Sequence, residues 1–321
     1  MKMIKITLFI LATTYCSLSF AQSSDTVHYE VLRNDPKNIN NLIMYVSPFG
    51  YDILVSYMNL SYGFGAEYIF RDKFTLGFNL RRSYTERLND VIMGPDRTPL
   101  KLGYAIGGNK NFTTYELSTQ VLLGGRQVVH NEKAVLEQDM YSKTYVKVKV
   151  KHFIALALRA SYGFHHYPLY SNFSGHKIND STYVTSIGGA TMNNLQFASF
   201  GLGLFQKQDL KLKTDKYATK DYSVITIYYF DMLFPVHQNL TDMKVTDIST
   251  GTPMYYDVNV NYTPMSTYGF RVGMKYQVVS RVRKVNGGMK FELGFLPGLY
   301  KFPKNFYISA GLDINISFDA Q

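Results

Sequence analysis

The chain closes on Asn305-Phe306-Tyr307-Ile308-Ser309-Ala310-Gly311-Leu312-Asp313-Ile314-Asn315-Ile316-Ser317-Phe318. Every even position from Phe306 to Phe318 is apolar. The odd positions are Tyr307, Ser309, Gly311, Asp313, Asn315 and Ser317. Strict alternation predicts a β-strand, because successive side chains point to opposite faces of the backbone. One face is unbrokenly apolar and the other carries small polar groups and an acid. A strand that separates lipid from a polar lumen needs this arrangement, so the stretch predicts a transmembrane β-barrel.

The same pattern recurs upstream. Leu60, Tyr62, Phe64, Ala66, Tyr68 and Phe70 form an apolar row opposite Ser61, Gly63, Gly65 and Glu67. Arg71-Asp72-Lys73 turns the chain, and Phe74, Leu76, Phe78 and Leu80 resume the row, predicting a hairpin. Further rows run through Leu100–Ile106, Tyr115–Leu123, Val146–Phe164, Ala198–Leu204, Tyr268–Tyr276 and Met289–Phe295. The row at 146–164 is about twice the ~9–11 residues of a bilayer crossing. Its first half, with Lys147, Lys149 and Lys151, is expected to project beyond the membrane. Weaker strands are read at 42–49 and 166–172, and 222–234 is apolar on both faces. Asn286-Gly287 is a type I′ hairpin signal. Polar stretches at 84–98, 125–144, 173–193 and 235–265 read as long connections, the last with a hairpin arm near 254–262.

The expected fold is all-β: a closed antiparallel up-and-down barrel of about twelve strands, with ten to fourteen compatible with the pattern. If the tight turns 71–73, 107–110 and 286–287 face the periplasm and the long segments face outside, the last strand ends in the periplasm. A secreted β-sandwich would also alternate. Its polar face, however, would be rich in Lys, Glu and Thr, where this chain has Gly63, Gly65, Gly77, Gly103, Gly269, Gly273 and Gly311. Small residues there suit a crowded barrel interior.

The start of the chain reads as a secretory signal peptide over 1–21, with Lys2 and Lys5, an apolar run, and Ser19-Phe20-Ala21 as the processing site. Residues before Cys16 do not resemble a lipoprotein pattern, and removing the leader removes this one cysteine, hence any disulfide. Residues 22–40 read as a polar periplasmic lead with no fold of its own, and 41–321 as the barrel with its outer loops. The net charge is +10, or +8 once Lys2 and Lys5 are removed. For an exported chain this suits anionic lipid or an anion-leaning lumen. No basic patch interleaved with aromatics argues for nucleic acid. With 27 Tyr, 22 Phe and no Trp, tyrosine has to supply the aromatic belts at the lipid boundaries. Past the leader no run of about 18 uninterrupted apolar residues exists, so membrane helices are excluded.

The ending, Gly311 followed by Ile314, Ile316 and the aromatic Phe318, resembles the C-terminal signal of Gram-negative outer-membrane proteins. In many of these the chain ends on the aromatic; here Asp319-Ala320-Gln321 follow. The resemblance implies outer-membrane location and insertion by the barrel-assembly machinery. The start of the mature chain also looks like exported proteins of Bacteroidetes-type bacteria.

The lumen row predicted by the alternation carries Arg81, Lys101, Arg159, Arg271, Lys275 and Lys290 against Glu67, Glu116, Glu292 and Asp313. Rings of Lys and Arg would make an anion-preferring pore, whereas ion pairing among these residues would fill a narrow closed barrel. His28, His130, His152, His165, His166, His176 and His237 are the histidines. His165 and His166 are adjacent on a strand, face opposite ways, and cannot readily share a metal. No Ser–His spacing marks a lipid hydrolase or protease, and no cofactor or metal is expected. The expected role is non-enzymatic: a passive small-solute pore or, as the alternative, a structural or accessory subunit of an outer-membrane assembly. Expected partners are outer-membrane lipid, the barrel-assembly machinery during insertion and another envelope protein.

Overall fold

A computed structural model describes residues 27–37, 40–54, 57–85, 88, 111–138, 143–173, 177–179, 182–183, 187–247, 254–257, 268–280, 282, 285–297 and 306–319. Within them ten antiparallel strands close a barrel. They are β1 (Asn41–Leu54), β2 (Tyr57–Phe70), β3 (Phe74–Ser83), β4 (Thr113–Gln138), β5 (Lys143–Phe173), β6 (Ile187–Gln208), β7 (Val224–Asp247), β8 (Gly269–Val278), β9 (Asn286–Phe295) and β10 (Phe306–Asp319). Each pairs with the next in the chain, and β10 pairs with β1 from Tyr307↔Leu54 to Asp319↔Asn41, so no edge is left in the wall. Closure of this kind satisfies every backbone polar group of the wall internally, the condition for crossing lipid.

The alternating rows sort as expected. Leu76, Leu117, Leu158, Leu202, Phe230, Val272, Phe291 and Ile314 project outward and are exposed. Glu67, Arg81, Ser199, Asp231, Arg271, Glu292 and Asn315 project inward and are buried. Strands β3, β8 and β9 are ten residues long, which matches a bilayer crossing. Outward aromatic rings pair along one end of the wall: Tyr62 with Tyr84, Tyr115 with Phe164, Phe234 with Tyr268, Phe295 with Phe306. Tyr68, Phe70 and Phe74 cluster at the other end, where Arg71 and Lys73 lie over the Phe70 ring.

The end where Asn41 meets Asp319 is called the near end here, and the opposite one the far end. The strand count is ten, the low end of the expected ten to fourteen. The row at 166–172 continues β5 rather than forming a separate strand, and β3 pairs directly with β4. The segment 100–106, with Lys101 and Gly103, lies outside the described residues, as do 107–110. β3 ends and β4 begins at the far end, opposite the turn 71–73. Asn286-Gly287 is not a turn: both residues are inside β9 and pair with Asn315 and Ile314. Met254–Asp257 pairs with Lys244–Asp247 of β7 at the far end.

The largest correction concerns 125–144. Its described residues, 125–138 and 143–144, form strands rather than a loop. β4 and β5 run past the near-end rim as a two-stranded arm, paired from Arg126↔Ile154 to Gln138↔Lys143. The arm leaves the wall through a bulge between Leu123 and Arg126, where Gly124 has φ +58°, a conformation only glycine adopts without strain. A small sheet packs on it. Tyr29–Arg33 pairs with Lys211–Thr214, which also pairs with Lys220–Asp221. The lead therefore folds in part. Ala134, Leu136, Val146, Val148 and Val150 of the arm bury against Leu210 and Leu212. Arg33 fixes the sheet to the rim through Asp209 (2.6 Å) and Asp221 (3.2 Å).

Candidate functional site

A barrel of ten strands has an interior that side chains can fill or leave open, so the content of the lumen decides what the wall can do. The lumen of this chain is filled in three layers. At the near end Ile43, Ile69, Leu122, Phe153, Ala155, Phe205, Ile225 and Ile227 bury together inside the barrel. At the far end Leu54, Phe112, Tyr167, Leu195, Phe197, Leu233 and Leu296 do the same. Between them lie the charged residues.

Arg271 is the centre of the middle layer. Its guanidinium forks onto Glu116 at 2.5 and 3.0 Å, donates from Nε to Asp231 at 2.9 Å, and lies 3.7 Å from Glu292. Arg159 donates to both oxygens of Asp231 at 3.0 and 3.3 Å and lies over the Tyr229 ring at 4.1 Å. Arg81 meets Asp52 at 3.0 Å and donates to Ser61 and Ser309. Lys275 meets Glu67 at 2.5 Å, over the Tyr45 ring. Lys290 lies 3.6 Å from Glu292, which also accepts from Tyr229 (2.6 Å) and Tyr307 (2.7 Å). Ser47 donates to Asp313. Planar forks onto carboxylates are the strongest form of such contacts, and they fix position as well as charge.

Glycines on this face make the room. A Cβ on Gly65 would sit 2.4 Å from the Tyr45 ring, and one on Gly273 would sit 2.2 Å from the Tyr229 ring. What remains open is small. A cavity of about 60 Å³ lies among Tyr45, Glu67, Glu116, Arg159, Arg271 and Lys275. A second, of about 30 Å³, lies among Asp52, Arg81, His165 and Tyr307. At roughly 10–15 Å³ per water position, each has room for a few waters.

The structure thus brings Arg81, Glu116, Arg159, Arg271, Lys275, Lys290 and Glu292 into one layer, each cation beside an acid. Asp52, Asp231, Tyr45, Tyr229 and Tyr307 belong to the same layer and were not read as such. Asp231 is the one acid among apolar residues in the strand that reads apolar on both faces, and that isolation is the signal that could have found it. On β10, Ile314, Ile316 and Phe318 face outward and are about half exposed, while Gly311 pairs with Gly50 across the closing seam.

The histidines do not converge. His165 points inward against Phe197 and Phe112, and His166 bonds Asn194 at 2.5 Å, so the pair is divided between two faces. His152 meets Glu132 at 2.6 Å at the root of the arm, beside His130. His176 lies outside the described residues. Among the described residues no group of three or more His, Cys, Asp or Glu is placed to hold a metal ion.

No known protein family matches the chain, and no curated protein matches it. Solved structures give distant likenesses. A TodX monoaromatic hydrocarbon channel deltaS2 mutant aligns over 89% of this chain and 90% of its own, at 9% identity and TM-score 0.22. Pseudomonas aeruginosa OpdQ aligns over 89% and 100%, at 7% identity and TM-score 0.18. Outer-membrane expressed OmpT of Vibrio cholerae aligns over 90% and 100%, at 11% identity and TM-score 0.18. At such scores the likeness adds nothing to the barrel already described.

Proposed function

We propose that this chain is an outer-membrane β-barrel with a sealed lumen, which serves as a structural or accessory subunit of an envelope assembly by holding its arm at one face of the membrane. The observation that carries the reading is the filled lumen: two apolar layers enclose a middle layer of paired charges. The outward apolar wall, the aromatic rows at its two ends and the outer-membrane-like ending support the location. Gly311, Ile314, Ile316 and Phe318 are then the residues offered to the barrel-assembly machinery. The far end carries the longer connections, which in bacterial barrels face outside, so the near end with the arm faces the periplasm.

The competing reading is a pore for small anions. It needs unpaired cations along an open path. The test is planar-bilayer recording on refolded protein that still shows the heat-dependent gel shift of a closed barrel. The sealed barrel gives no discrete conductance, and after mild detergent extraction the protein carries a second envelope protein in fixed ratio. Discrete, anion-preferring steps reduced by Arg271→Glu or Lys290→Glu would overturn it in favour of the pore. Lipid or peptide turnover dependent on one histidine would replace both.

A further inference from the structure

The arm has an open edge. Closure protects every strand of the wall, but past the rim β4 has a neighbour on one side only, β5. The direction of its backbone groups follows from the other side of the pair. Lys151 donates its N–H to Asn34 Oδ1 (2.9 Å), and the carbonyls of Lys149 and Lys147 accept from Asn34 (2.9 Å) and Tyr29 (3.1 Å). Odd residues of β5 therefore point away from β4. Their partners Val129, Asn131 and Lys133 are non-hydrogen-bonded pairs whose own N–H and C=O groups point to the free side of the arm. The Val135 carbonyl follows the same phase and is taken by the Tyr222 hydroxyl. Among the described residues no backbone hydrogen bond reaches Val129, Asn131 or Lys133 on that side, and Val129 is 55% exposed. An exposed edge of this kind is a template for a further strand.

The face of the arm beside this edge is charged one way. Its residues are Gln127, Val129, Asn131, Lys133 and Val135 on β4 and Tyr145, Lys147, Lys149, Lys151 and Phe153 on β5. Four are lysines, all exposed, and none is an acid; at the root of this face the lead crosses it, with Asp35 accepting from Gln127 (3.4 Å) and Lys37 lying over the Phe153 ring. Lys133 and Lys147 stand directly opposite each other, an arrangement that destabilises a bare sheet. The opposite face is occupied, since Val146, Val148 and Val150 bury against the small sheet. The structure therefore offers a strand template on one side and a field of positive charge on one face of it.

We propose that the edge Val129–Lys133 binds an extended acidic segment of another protein by strand addition, its acids at alternate positions on the lysine face. Backbone bonds to the three outward residues supply the affinity, and the lysines supply the choice of partner. A second copy of this chain does not fit, because pairing two such edges would bring eight lysines together on one sheet. The inference rests on the proposed role of the arm and names the chemistry of its partner.

The test uses the full chain in detergent micelles and two eight-residue peptides, one alternating Glu with Val and one alternating Lys with Val. The Glu peptide binds about tenfold or more tighter than the Lys peptide, with an affinity that falls as salt rises. It also slows hydrogen exchange at Val129, Asn131 and Lys133. Val129→Pro removes an outward N–H without touching the β4–β5 ladder and abolishes binding, while the barrel gel shift persists. Lys147→Glu with Lys149→Glu, which leaves the edge intact and sets two glutamates against the two remaining lysines, abolishes the peptide preference. Equal affinity for the two peptides, binding to neither, or Glu-peptide binding that survives Val129→Pro would overturn the proposal. So would disulfide-linked dimers of a Val129→Cys variant forming in preference to peptide capture. Conductance by the wild-type protein would remove the sealed-barrel reading and leave this binding result standing, so the two failures are distinguishable.

Discussion

Replacing Arg271 by alanine tests whether the lumen is solid. The guanidinium is 3% exposed and faces Glu116, Asp231 and Glu292, which are 12%, 1% and 6% exposed. Arg271→Ala leaves these carboxylates with Arg159 and Lys290 as their remaining cations, and Glu116 with none at ion-pair distance among the described residues. Removing one partner of a buried pair costs about 3–5 kcal/mol, because the charge left behind has lost both water and partner. We take about 4 kcal/mol for this site. With a urea slope near 3 kcal/mol/M for a chain of this size, the unfolding midpoint falls by roughly 1.3 M. Arg271→Lys keeps the charge but cannot fork onto Glu116 while reaching Asp231, so its midpoint lies between the two. Adding Glu116→Gln to Arg271→Ala recovers part of the loss. The assay is urea unfolding in micelles, followed by the gel shift of folded barrel. In an open aqueous pore the same pair would be solvated and worth about 0–1 kcal/mol. A fall of less than about 0.3 M would therefore refute the filled lumen.

Two further outcomes follow from the wall and the arm. Leu202 lies mid-strand on the outer face, paired with Leu158 and Phe230, and is 51% exposed; Leu202→Arg lowers stability in lipid vesicles by about 2–4 kcal/mol, and a loss under about 0.5 kcal/mol would mean that this face does not meet lipid. Gly124→Val forces a β-branched residue to φ +58°, at roughly 1–2 kcal/mol; amides of the arm then exchange faster while the barrel gel shift stays, and unchanged exchange would show that the bulge does not set the arm.

The sequence was most legible where one face of a strand meets lipid and the other meets polar side chains. β2, β3, β8 and β10 satisfy this, and their rows were read correctly. β1 looked weak because its parity changes within the strand. Met44 and Val46 face outward, then Phe49 and Tyr51 do, across a bulge between Ser47 and Gly50. β7 looked two-faced because the lumen is itself apolar at the near end, where Ile225 and Ile227 point inward while Tyr228 and Phe230 point out. The length of the row at 146–164 told that its first half runs beyond the wall, but not what covers it: Leu156 and Leu158 lie on the outer wall, whereas Val146, Val148 and Val150 bury under the small sheet. Tyr29–Arg33 is a short strand within a lead that is polar as a whole, and its partner Lys211–Thr214 is far away in sequence. The lumen charges could be named from alternation. Their pairing could not, since Arg271 and Glu116 are 155 positions apart and meet only after closure.

The three layers depend on one another. Apolar plugs at both ends exclude water, which strengthens the central ion pairs and also makes each of them obligatory. Opening a path would require displacing both plugs and separating at least Arg271 from Glu116 and Arg159 from Asp231. The near-neutral lumen also leaves no field to draw an anion in, despite the chain's basic charge. Part of that positive charge is displayed on the arm instead, at Lys133, Lys147, Lys149 and Lys151, on the strand pair that leaves the near-end rim with an open edge. A rigid, sealed wall is a good support for such an arm, because the bulge at Gly124 then sets its direction against a frame that does not move.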